Sequence, residues 1–375
     1  MKFVVSSTDL SAHLQAISRV INSKNAIPIF DCFLFCVKEG RLFVTASDSE
    51  TTMTTSMEVA QTDTDGQFAI MARTLLEALR VGADQPLTFD VNMENMSITV
   101  SYQNGSYSLM GQSAEVYPSP AQLSENAVTV TMESDLLLEG IGRTLFATAS
   151  DELRPVMNGV FFDISTEDIT LVASDGHKLV RYRNNHAKGD QKSSFILPKK
   201  PAGLLKNLAP KEATGVTLQF DNRNAVIEMG EYKMVCRLIE GRYPNYNSVI
   251  PQSNPYKVTI DRLSLLGALR RVSIFSSQAS NLVKLNLKGG ELLISAQDID
   301  FSTSAKESMP CQYEGEEMSI GFKSVFLIDI LNNFSADEVT IELADPSRAG
   351  VIVPVMQPEG EDLLMLLMPM MLNDG

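Results

Sequence analysis

The chain of 375 residues repeats one pattern three times, and this repeat restricts the possible folds more than any other feature. An apolar strand, small residues and an aspartate recur in GRLFVTASDSETTM (40–53), EDITLVASDGHKLV (167–180) and GELLISAQDIDFST (290–303). The aspartates are separated by 127 and then 123 residues, which is the size of a domain and not of a solenoid module. We therefore predict three tandem domains, with the boundaries 1–123, 124–252 and 253–375.

Helical segments recur at the same step and indicate the fold class. Leucine-rich segments with apolar residues three and four apart follow Asp9, Asp135 and Asp261, each of which can cap a helix or lie in its first turn. A second helical segment and several short strands follow in each copy, and closing strands are predicted at 106–111, 232–239 and 362–372. This order predicts an α+β fold, with two helices packed on antiparallel sheet in every copy.

The composition is that of a globular protein. Hydrophobic residues make up 44% of the chain, and the longest apolar run, 363–372, is shorter than the roughly 20 residues of a membrane helix. The first residues lack the features of a signal peptide. The four cysteines form neither a CxxC motif nor a Cys/His cluster, so we expect reduced core thiols and no metal site. We expect a cytoplasmic protein that needs no cofactor and does not bind membranes.

The charges of the chain are segregated. The net charge of −15 argues by itself against nucleic-acid binding. However, the predicted helical segments hold 12 basic and 3 acidic residues, so they carry +9 and the remainder carries −24. Positive helices on an acidic body suit the phosphate backbone of DNA, bound without sequence specificity. The segments counted are 10–24, 72–82, 136–150, 199–208, 262–275 and 322–334.

The positive helices do not by themselves require DNA. Any exposed helix collects some Lys and Arg, although a merely solvated helix mixes both signs and favours ion pairs four residues apart. The chain would then be an oligomeric scaffold that does not bind DNA. Such a scaffold would share the repeat but would not need the segregated charge, and this alternative stays open.

The pair Asp175 and His177 has the look of a catalytic site, since an aspartate and a histidine meet at a tight turn after a strand. General acid–base catalysis needs a converging partner, and the sequence offers none. The aspartate recurs in all three copies, whereas Glu50 and Asp300 occupy the position of His177 in the other two. We therefore predict that the aspartate bonds its own turn, that His177 serves something peculiar to the second copy, and that the chain is not an enzyme.

The triplicated unit and three local motifs resemble the bacterial replicative sliding clamp, the beta subunit of DNA polymerase III. The motifs are VASDGHKL (172–179), LIEGRYPNY (238–246) with the following SVIP, and the terminal LMPMML (367–372). The resemblance covers essentially the whole chain. It implies three copies of one clamp-type domain in each protomer and two protomers that close head to tail into a ring, with helices facing duplex DNA and sheets outside.

The resemblance also implies a cleft between the second and third domains that binds short hydrophobic-aromatic motifs of partners. Those partners are the replicative polymerase, an ATP-driven clamp loader and repair factors. Methionine side chains adapt to several ligands and suit such a cleft, although an apolar terminal strand taken alone would more often be core. We refer to the implied residues as the peptide pocket: Met157, Ser174, Gly176, His177, Lys178, Leu179, Pro244, Val249, Met368, Pro369, Met370 and Leu372.

Two further sets of residues follow from the resemblance. The residues expected to contact DNA are basic and lie in or next to the predicted helices: Lys24, Arg73, Arg80 and Lys199, with weaker support for Lys200, Arg143 and Arg271. The residues expected at the seam between protomers are Tyr107 and Leu109 of the first domain and Ile274 and Phe275 of the third. For these last four, ordinary core packing is equally consistent with the sequence.

The chain departs from the family pattern at three places. Pro155 and Val156 replace a pair of aromatic residues found in many members, which leaves a DNA contact there open. Ser248 and Met371 replace arginines of some members, so a less basic pocket is expected. The tail 373–375 extends beyond the usual end and is expected either to cover part of the pocket or to fray.

Overall fold

The computed structural model describes residues 1–208 and 214–372, and the tail expectation lies outside these residues. All three repeats share one element order, to which the first adds two short strands. The first repeat consists of β1 (Lys2–Ser6), α1 (Ser7–Ser18), β2 (Cys32–Lys38), β3 (Arg41–Ser47), β4 (Thr51–Glu58), β5 (Gln61–Thr62), β6 (Gly66–Met71), α2 (Ala72–Arg80), β7 (Pro86–Val91), β8 (Ser97–Tyr102), β9 (Gly105–Met110) and β10 (Gln112–Ser113).

The second and third repeats lack counterparts of β5 and β10 but otherwise follow the same order. The second consists of β11 (Val128–Glu133), α3 (Ser134–Thr144), β12 (Gly159–Ile164), β13 (Ile169–Ser174), β14 (Lys178–Asn184), β15 (Ser193–Pro198), α4 (Lys199–Lys206), β16 (Gly215–Phe220), β17 (Asn224–Met229) and β18 (Tyr232–Arg237). The third consists of β19 (Tyr256–Asp261), α5 (Arg262–Ser273), β20 (Leu282–Lys288), β21 (Glu291–Asp298), β22 (Thr303–Pro310), β23 (Met318–Lys323), α6 (Ser324–Asn332), β24 (Glu338–Leu343), β25 (Gly350–Pro354) and β26 (Glu361–Leu367).

The chain divides into two compact units that do not coincide with the repeats. The first unit is Met1–Leu137 with Gly203–Leu238, and the second is Leu138–Ala202 with Ile239–Gly375. In the first unit the strands form two sheets, in the orders β10-β6-β2-β3-β4-β18-β17-β16-β11 and β5-β1-β7-β8-β9. In the second unit the orders are β15-β12-β13-β14-β26-β25-β24-β19 and β22-β21-β20-β23. The predicted α+β fold is confirmed.

Two strand pairs show why the units cut across the repeats. The antiparallel pair β4–β18 joins the first repeat to the second, with Thr51 opposite Cys236. The pair β14–β26 joins the second repeat to the third in the same way, with Lys178 opposite Leu367. The corresponding strand of the third repeat, β22, lies at the edge of its sheet, and so does β9, the last strand of the hairpin that closes the first repeat.

The predicted acidic residues lie at the starts of the helices. Asp9 and Asp135 lie in the first turns of α1 and α3. Asp261 caps α5, since its carboxylate accepts a hydrogen bond of 2.7 Å from the backbone amide of Ser264. Negative charge at these positions offsets the positive end of the helix dipole and satisfies amides that have no partner within the helix.

Several predicted elements end earlier than expected, among them the helical segment 136–150, whose α-helix ends at Thr144. The first helix was expected to extend to residue 24, but it ends at Ser18. The amides of Val20 and Ile21 bond carbonyls only three residues back, and a polar stretch follows that offers no apolar face. The closing strand of the third repeat ends at Leu367 and not at residue 372, because Pro369 has no amide to donate to a sheet.

The core of the second unit is shared by two repeats. Leu265 and Leu269 of α5 and Ile330 of α6 are fully buried, in one cluster with Val180 and Tyr182 of β14. Burial of such side chains contributes roughly 1.5–3 kcal/mol each, so the second and third repeats stabilise one another through this core.

Gly159→Ala is expected to destabilise this unit by about 2 kcal/mol, because overpacking of a close-packed strand costs about 1–3 kcal/mol. A β-carbon at Gly159 would overlap the carbonyl oxygen of Leu197 and lie 2.9 Å from a methyl group of Ile196. Urea unfolding measures the effect. The matched control is Gly215→Ala, where a β-carbon meets no atom within 4 Å and stability is expected to change by less than about 0.5 kcal/mol. Equal losses in both variants would contradict the role given to packing at Gly159.

Candidate functional site

The turn between β13 and β14 is held by the carboxylate of Asp175. One of its oxygens accepts hydrogen bonds of 2.9 Å from the amides of both His177 and Lys178. Gly176 has a φ of +89°, a conformation that glycine adopts without strain. The hydroxyl of Ser174 donates to the carbonyl of Lys178 and accepts from the amide of Gly176. The turn is therefore fixed by its own polar groups.

The same hydrogen bonds recur in the other repeats. Asp48 accepts from the amides of Glu50 and Thr51, at 3.0 and 2.8 Å. Asp298 accepts from the amides of Asp300 and Phe301, at 3.1 and 3.3 Å. The prediction that this aspartate bonds its own turn is confirmed in all three copies. The recurrence gives Asp175 a structural role and leaves His177 as the residue peculiar to the second repeat.

Lys178 is the charged residue at the base of this turn. Its ammonium lies 2.6 Å from the second carboxylate oxygen of Asp175, and the two side chains are only 6% and 16% exposed. Burial tends to raise the pKa of Asp175, but hydrogen bonds from Lys178 and the turn amides outweigh it and hold the pKa below its usual range. The carboxyl group of Asp175 is therefore ionised throughout the physiological range.

Phe326 of α6 completes the surroundings of Lys178. The Lys178 ammonium lies 4.4 Å from the centre of the Phe326 ring, and the ammonium of Lys323 lies 5.0 Å from it. The His177 ring stacks on Phe326 with centres 5.5 Å apart. The sequence interpretation missed Phe326 and Lys323. A third-repeat residue therefore orients two second-repeat residues of the peptide pocket.

An apolar cluster underlies this part of the second unit. Leu179 packs in one buried cluster with Tyr243, Tyr246 and Leu366. The ring of Phe161 stacks on Tyr243 with centres 4.6 Å apart. Pro244 and Val249 follow these tyrosines in the chain and are exposed, whereas the tyrosine rings are buried.

The segment after β26 runs from the turn to the edge of the third repeat's sheet. The amide of Met368 donates to the carbonyl of His177 over 2.9 Å, and that of Met370 donates to the carbonyl of Gly321 over 2.8 Å. Met368 is 43% exposed. Leu372 lines a cavity of about 860 Å³ beside Leu282, in the third repeat.

All predicted residues of the peptide pocket lie in the second unit, at three levels of exposure. The buried ones are Met157, Ser174, Lys178 and Leu179. The exposed ones are Gly176, His177, Pro244, Val249 and Met368. The half-buried ones are Pro369, Met370 and Leu372. Direct contacts join the turn residues to Met368, whereas Met370 and Leu372 contact the sheet of the third repeat. Exposed apolar side chains in the same unit as these buried polar groups are the chemistry expected of a site for a short apolar peptide.

The basic residues expected to contact DNA fall into two groups. Lys24, Arg73, Arg80 and Lys199 are exposed, and Lys200 is half-buried. Arg143 donates to the carbonyl of Asn333 and pairs with Glu139 at 2.9 Å. Arg271 makes a two-pronged ion pair with Glu307, which raises its pKa further. Arg73 also pairs with a carboxylate, that of Glu77 at 3.0 Å, so all three arginines have protein partners that compete with phosphate.

The residues expected at the seam differ in exposure. Ile274 and Phe275, just after α5, are 76% and 39% exposed, which is unlike core residues. Tyr107 and Leu109 are half-buried on the edge strand β9. Apolar side chains next to an edge strand are typical of surfaces that associate.

Residues 1–208 and 214–372 offer little other chemistry. No group of three or more potential metal ligands occurs there. No helix in this part of the chain is long and apolar enough to cross a membrane. The four cysteines are unpaired thiols, and burial raises the pKa of Cys236 to about 12, which makes it unreactive.

Comparisons with known proteins agree with this architecture. Models of the N-terminal, central and C-terminal domains of the DNA polymerase III beta subunit match residues 1–121, 131–245 and 247–371. Beta sliding clamps of Synechococcus elongatus and Proteus mirabilis are 27% and 28% identical to this chain. They cover 95% and 92% of it, and the matches span 96% and 94% of those relatives.

Solved structures give the same result at the level of the fold. A sliding clamp of Bartonella birtlesii superposes with a TM-score of 0.91 at 25% identity, and one of Pseudomonas aeruginosa with 0.93 at 22%. Both matches cover 99% of this chain and 100% of the other, and both structures contain griselimycin. Three domains of one kind, joined by strand pairing, define a clamp-type subunit. The chain belongs to the DNA polymerase III beta subunit family, which confirms the resemblance found in the sequence.

Asp175→Asn is expected to destabilise the protein at pH 7 by about 3 kcal/mol, the order of loss when one partner of a buried ion pair is removed. Asparagine keeps an oxygen for the two turn amides, so the variant isolates the ion pair with Lys178. Because folding lowers the pKa of Asp175, the stabilisation is present above its unfolded value of 3.8 and is lost as the pH falls through the folded value. Thermal or urea unfolding from pH 7 to pH 2 measures this.

Asp298→Asn is the matched control, because the turn is the same and the hydrogen bonds come from backbone amides. It is expected to cost about 1 kcal/mol or less. An equal loss in both variants, or a loss in Asp175→Asn that persists at pH 2, would contradict the role given to the ion pair.

Proposed function

We propose that the chain acts as a DNA sliding clamp in which two copies close head to tail into a ring around duplex DNA. Sliding clamps are what the curated relatives are named, and the chain belongs to their family. The ring would hold the replicative polymerase on its template by enclosing the DNA and not by tight contacts. The observation that carries the proposal is the pattern of strand pairing between repeats.

Strand pairing supports closure of the ring. The closing strand of the second repeat, β18, pairs with β4 of the first repeat, and the closing strand of the third repeat, β26, pairs with β14 of the second. By the same pattern, β9 of the first repeat and β22 of the third lack such a partner, and both lie at sheet edges. Pairing of β22 with β9 of a second copy would satisfy both edges, and two such contacts close a dimer. Ile274 and Phe275 would then lie at the seam with Tyr107 and Leu109 of the other copy.

Segregated charge supports passage of DNA through the ring. Lys24, Arg73, Arg80 and Lys199 are exposed, and Lys200 is their half-buried neighbour. Phosphate contacts are equivalent along the duplex, so they position the DNA without stopping movement. Arg143 would contribute less, since its side chain is only 20% exposed and donates to the carbonyl of Asn333.

The peptide pocket would bind hydrophobic-aromatic motifs of the polymerase, of repair polymerases and of an ATP-driven clamp loader that opens the ring. Exposed Met368 and Val249 surround a base of buried side chains, which suits several ligands of similar chemistry. In this proposal the chain is a processivity factor of the cytoplasm, with no cofactor and no catalysis of its own.

Arg73→Glu combined with Lys199→Glu is expected to abolish retention on nicked circular DNA after loading. Each reversal replaces an attraction to phosphate with a repulsion, and both residues are exposed. Gel filtration of loaded DNA measures retention. The control variant, Lys38→Glu combined with Lys288→Glu, changes the net charge equally at exposed positions outside the predicted set. It is expected to stay on the circular DNA as the unaltered protein does. Unchanged retention in the first variant would disprove the DNA contacts.

Met370→Ala combined with His177→Ala is expected to weaken binding of a polymerase motif peptide at least tenfold, about 1.4 kcal/mol, while the dimer stays intact. Fluorescence anisotropy measures the peptide affinity, and native mass spectrometry measures the dimer. The control Met356→Ala removes a methionine that is 84% exposed and outside the pocket. Loss of dimerisation with unchanged peptide affinity would place the pocket elsewhere.

A further inference from the structure

A second cavity lies in the first unit, at the place that corresponds to the peptide pocket. It has a volume of about 320 Å³ and is lined by the turn after β3, the connector after Tyr117, and the strands β17 and β18. We name it the Arg237 cavity after one of its lining residues. Sites for small ligands and peptide side chains typically begin at about this size.

The backbone around the Arg237 cavity matches the backbone around the peptide pocket in strand register and in the hydrogen bond that follows the paired strands. The amide of Arg237 donates to the carbonyl of Glu50 over 2.9 Å, as the amide of Met368 donates to the carbonyl of His177 over 2.9 Å. Both bonds follow strand pairs of the same register. The connector Tyr117-Pro118 corresponds to Tyr243-Pro244. The cavity is therefore the internal counterpart of the peptide pocket.

The backbone of the turn adds a second observation. Ser49 has a φ of +82°, which matches the +89° of Gly176 at the same position of the second repeat. A residue other than glycine is strained there, by roughly 1–3 kcal/mol, and strain of this kind is concentrated at binding and catalytic sites. The strained turn thus keeps the geometry of the peptide pocket while it brings a hydroxyl to the lining of the cavity.

The side chains make the chemistry of the Arg237 cavity different. Arg237 stands where the peptide pocket has Met368, and Glu50 stands where it has His177. Arg223 adds a second guanidinium to the lining, and Phe30 and Val235 add apolar surface. Guanidinium groups bind carboxylates with two parallel hydrogen bonds. Glu50 would repel a carboxylate at its end of the cavity, so the acidic group belongs beside the two arginines.

We propose that the Arg237 cavity is a second partner site, which takes a short acidic peptide with an apolar side chain. The choice of a peptide rests on the proposed function of the peptide pocket, whereas the acidic character rests on Arg223 and Arg237. A partner that carries both kinds of motif would engage two sites of one clamp, which raises its effective concentration at each.

The test uses two labelled peptides and the full-length protein. One probe is a hexapeptide of four glutamates around a leucine and a phenylalanine, and the other is a hydrophobic-aromatic motif peptide. Fluorescence anisotropy at low salt is expected to show saturable binding of the acidic probe, with a Kd of about 10 μM to 1 mM. Arg223→Glu combined with Arg237→Glu is expected to weaken it at least tenfold and to leave the other probe unchanged.

The control Lys38→Glu combined with Lys233→Glu alters the charge of the same unit equally, outside the cavity lining, and is expected to keep both affinities. Arg223→Lys combined with Arg237→Lys is expected to lose only part of the affinity and serves if the reversal variant unfolds. No saturable binding up to about 1 mM would overturn the proposal, as would an equal loss in the control. Binding of the acidic probe that is lost in His177→Ala would assign it to the peptide pocket instead. If the motif peptide alone fails to bind, the proposed function fails and the second site stands.

Discussion

The backbone pairing between the closing strand of one repeat and the strand after the aspartate turn of the repeat before it organises this molecule. Through β4–β18 and β14–β26, neighbouring repeats share sheets and, in the second unit, a hydrophobic core. Ladder hydrogen bonds satisfy both strand edges, so neither repeat presents an open edge where they meet. The strands β9 and β22, which correspond to the paired strands of the other repeats, both lie at sheet edges, and the proposed ring uses them for the same kind of pairing.

The aspartate turns connect this architecture to binding. Each turn carries the backbone into the strand that pairs with the next repeat, and Asp48, Asp175 and Asp298 stabilise it by the same bonds. Since the backbone geometry is fixed, side chains at the turn are free to vary between copies. His177 and Lys178 contact Phe326 in the second unit, whereas Glu50 and Arg237 line one cavity in the first. One scaffold thus supports surfaces of different chemistry.

Local sequence signals predicted much of the fold. Helix starts followed from Asp9, Asp135 and Asp261, because capping and dipole effects act within one turn. The end of α1 was predicted wrongly, since the apolar spacing continues past Ser18 although the hydrogen bonds do not. Tertiary contacts were harder to foresee. Phe326 has the spacing of a core residue on α6, and nothing near it in the chain indicates that its ring meets Lys178. Arg143 likewise has the sequence of an exposed helical cation, although it donates to a carbonyl after α6.

The mass of the native protein in solution tests the central claim, closure of two copies through β9 and β22, most directly. Native mass spectrometry at micromolar concentration is predicted to give a single species of twice the chain mass of 41.2 kDa. Ser108→Pro, which removes a backbone amide on the side of β9 that faces away from β8, is predicted to shift that species to the monomer. A strict monomer for the unaltered chain, or a dimer that Ser108→Pro does not weaken, would contradict closure through these two strands.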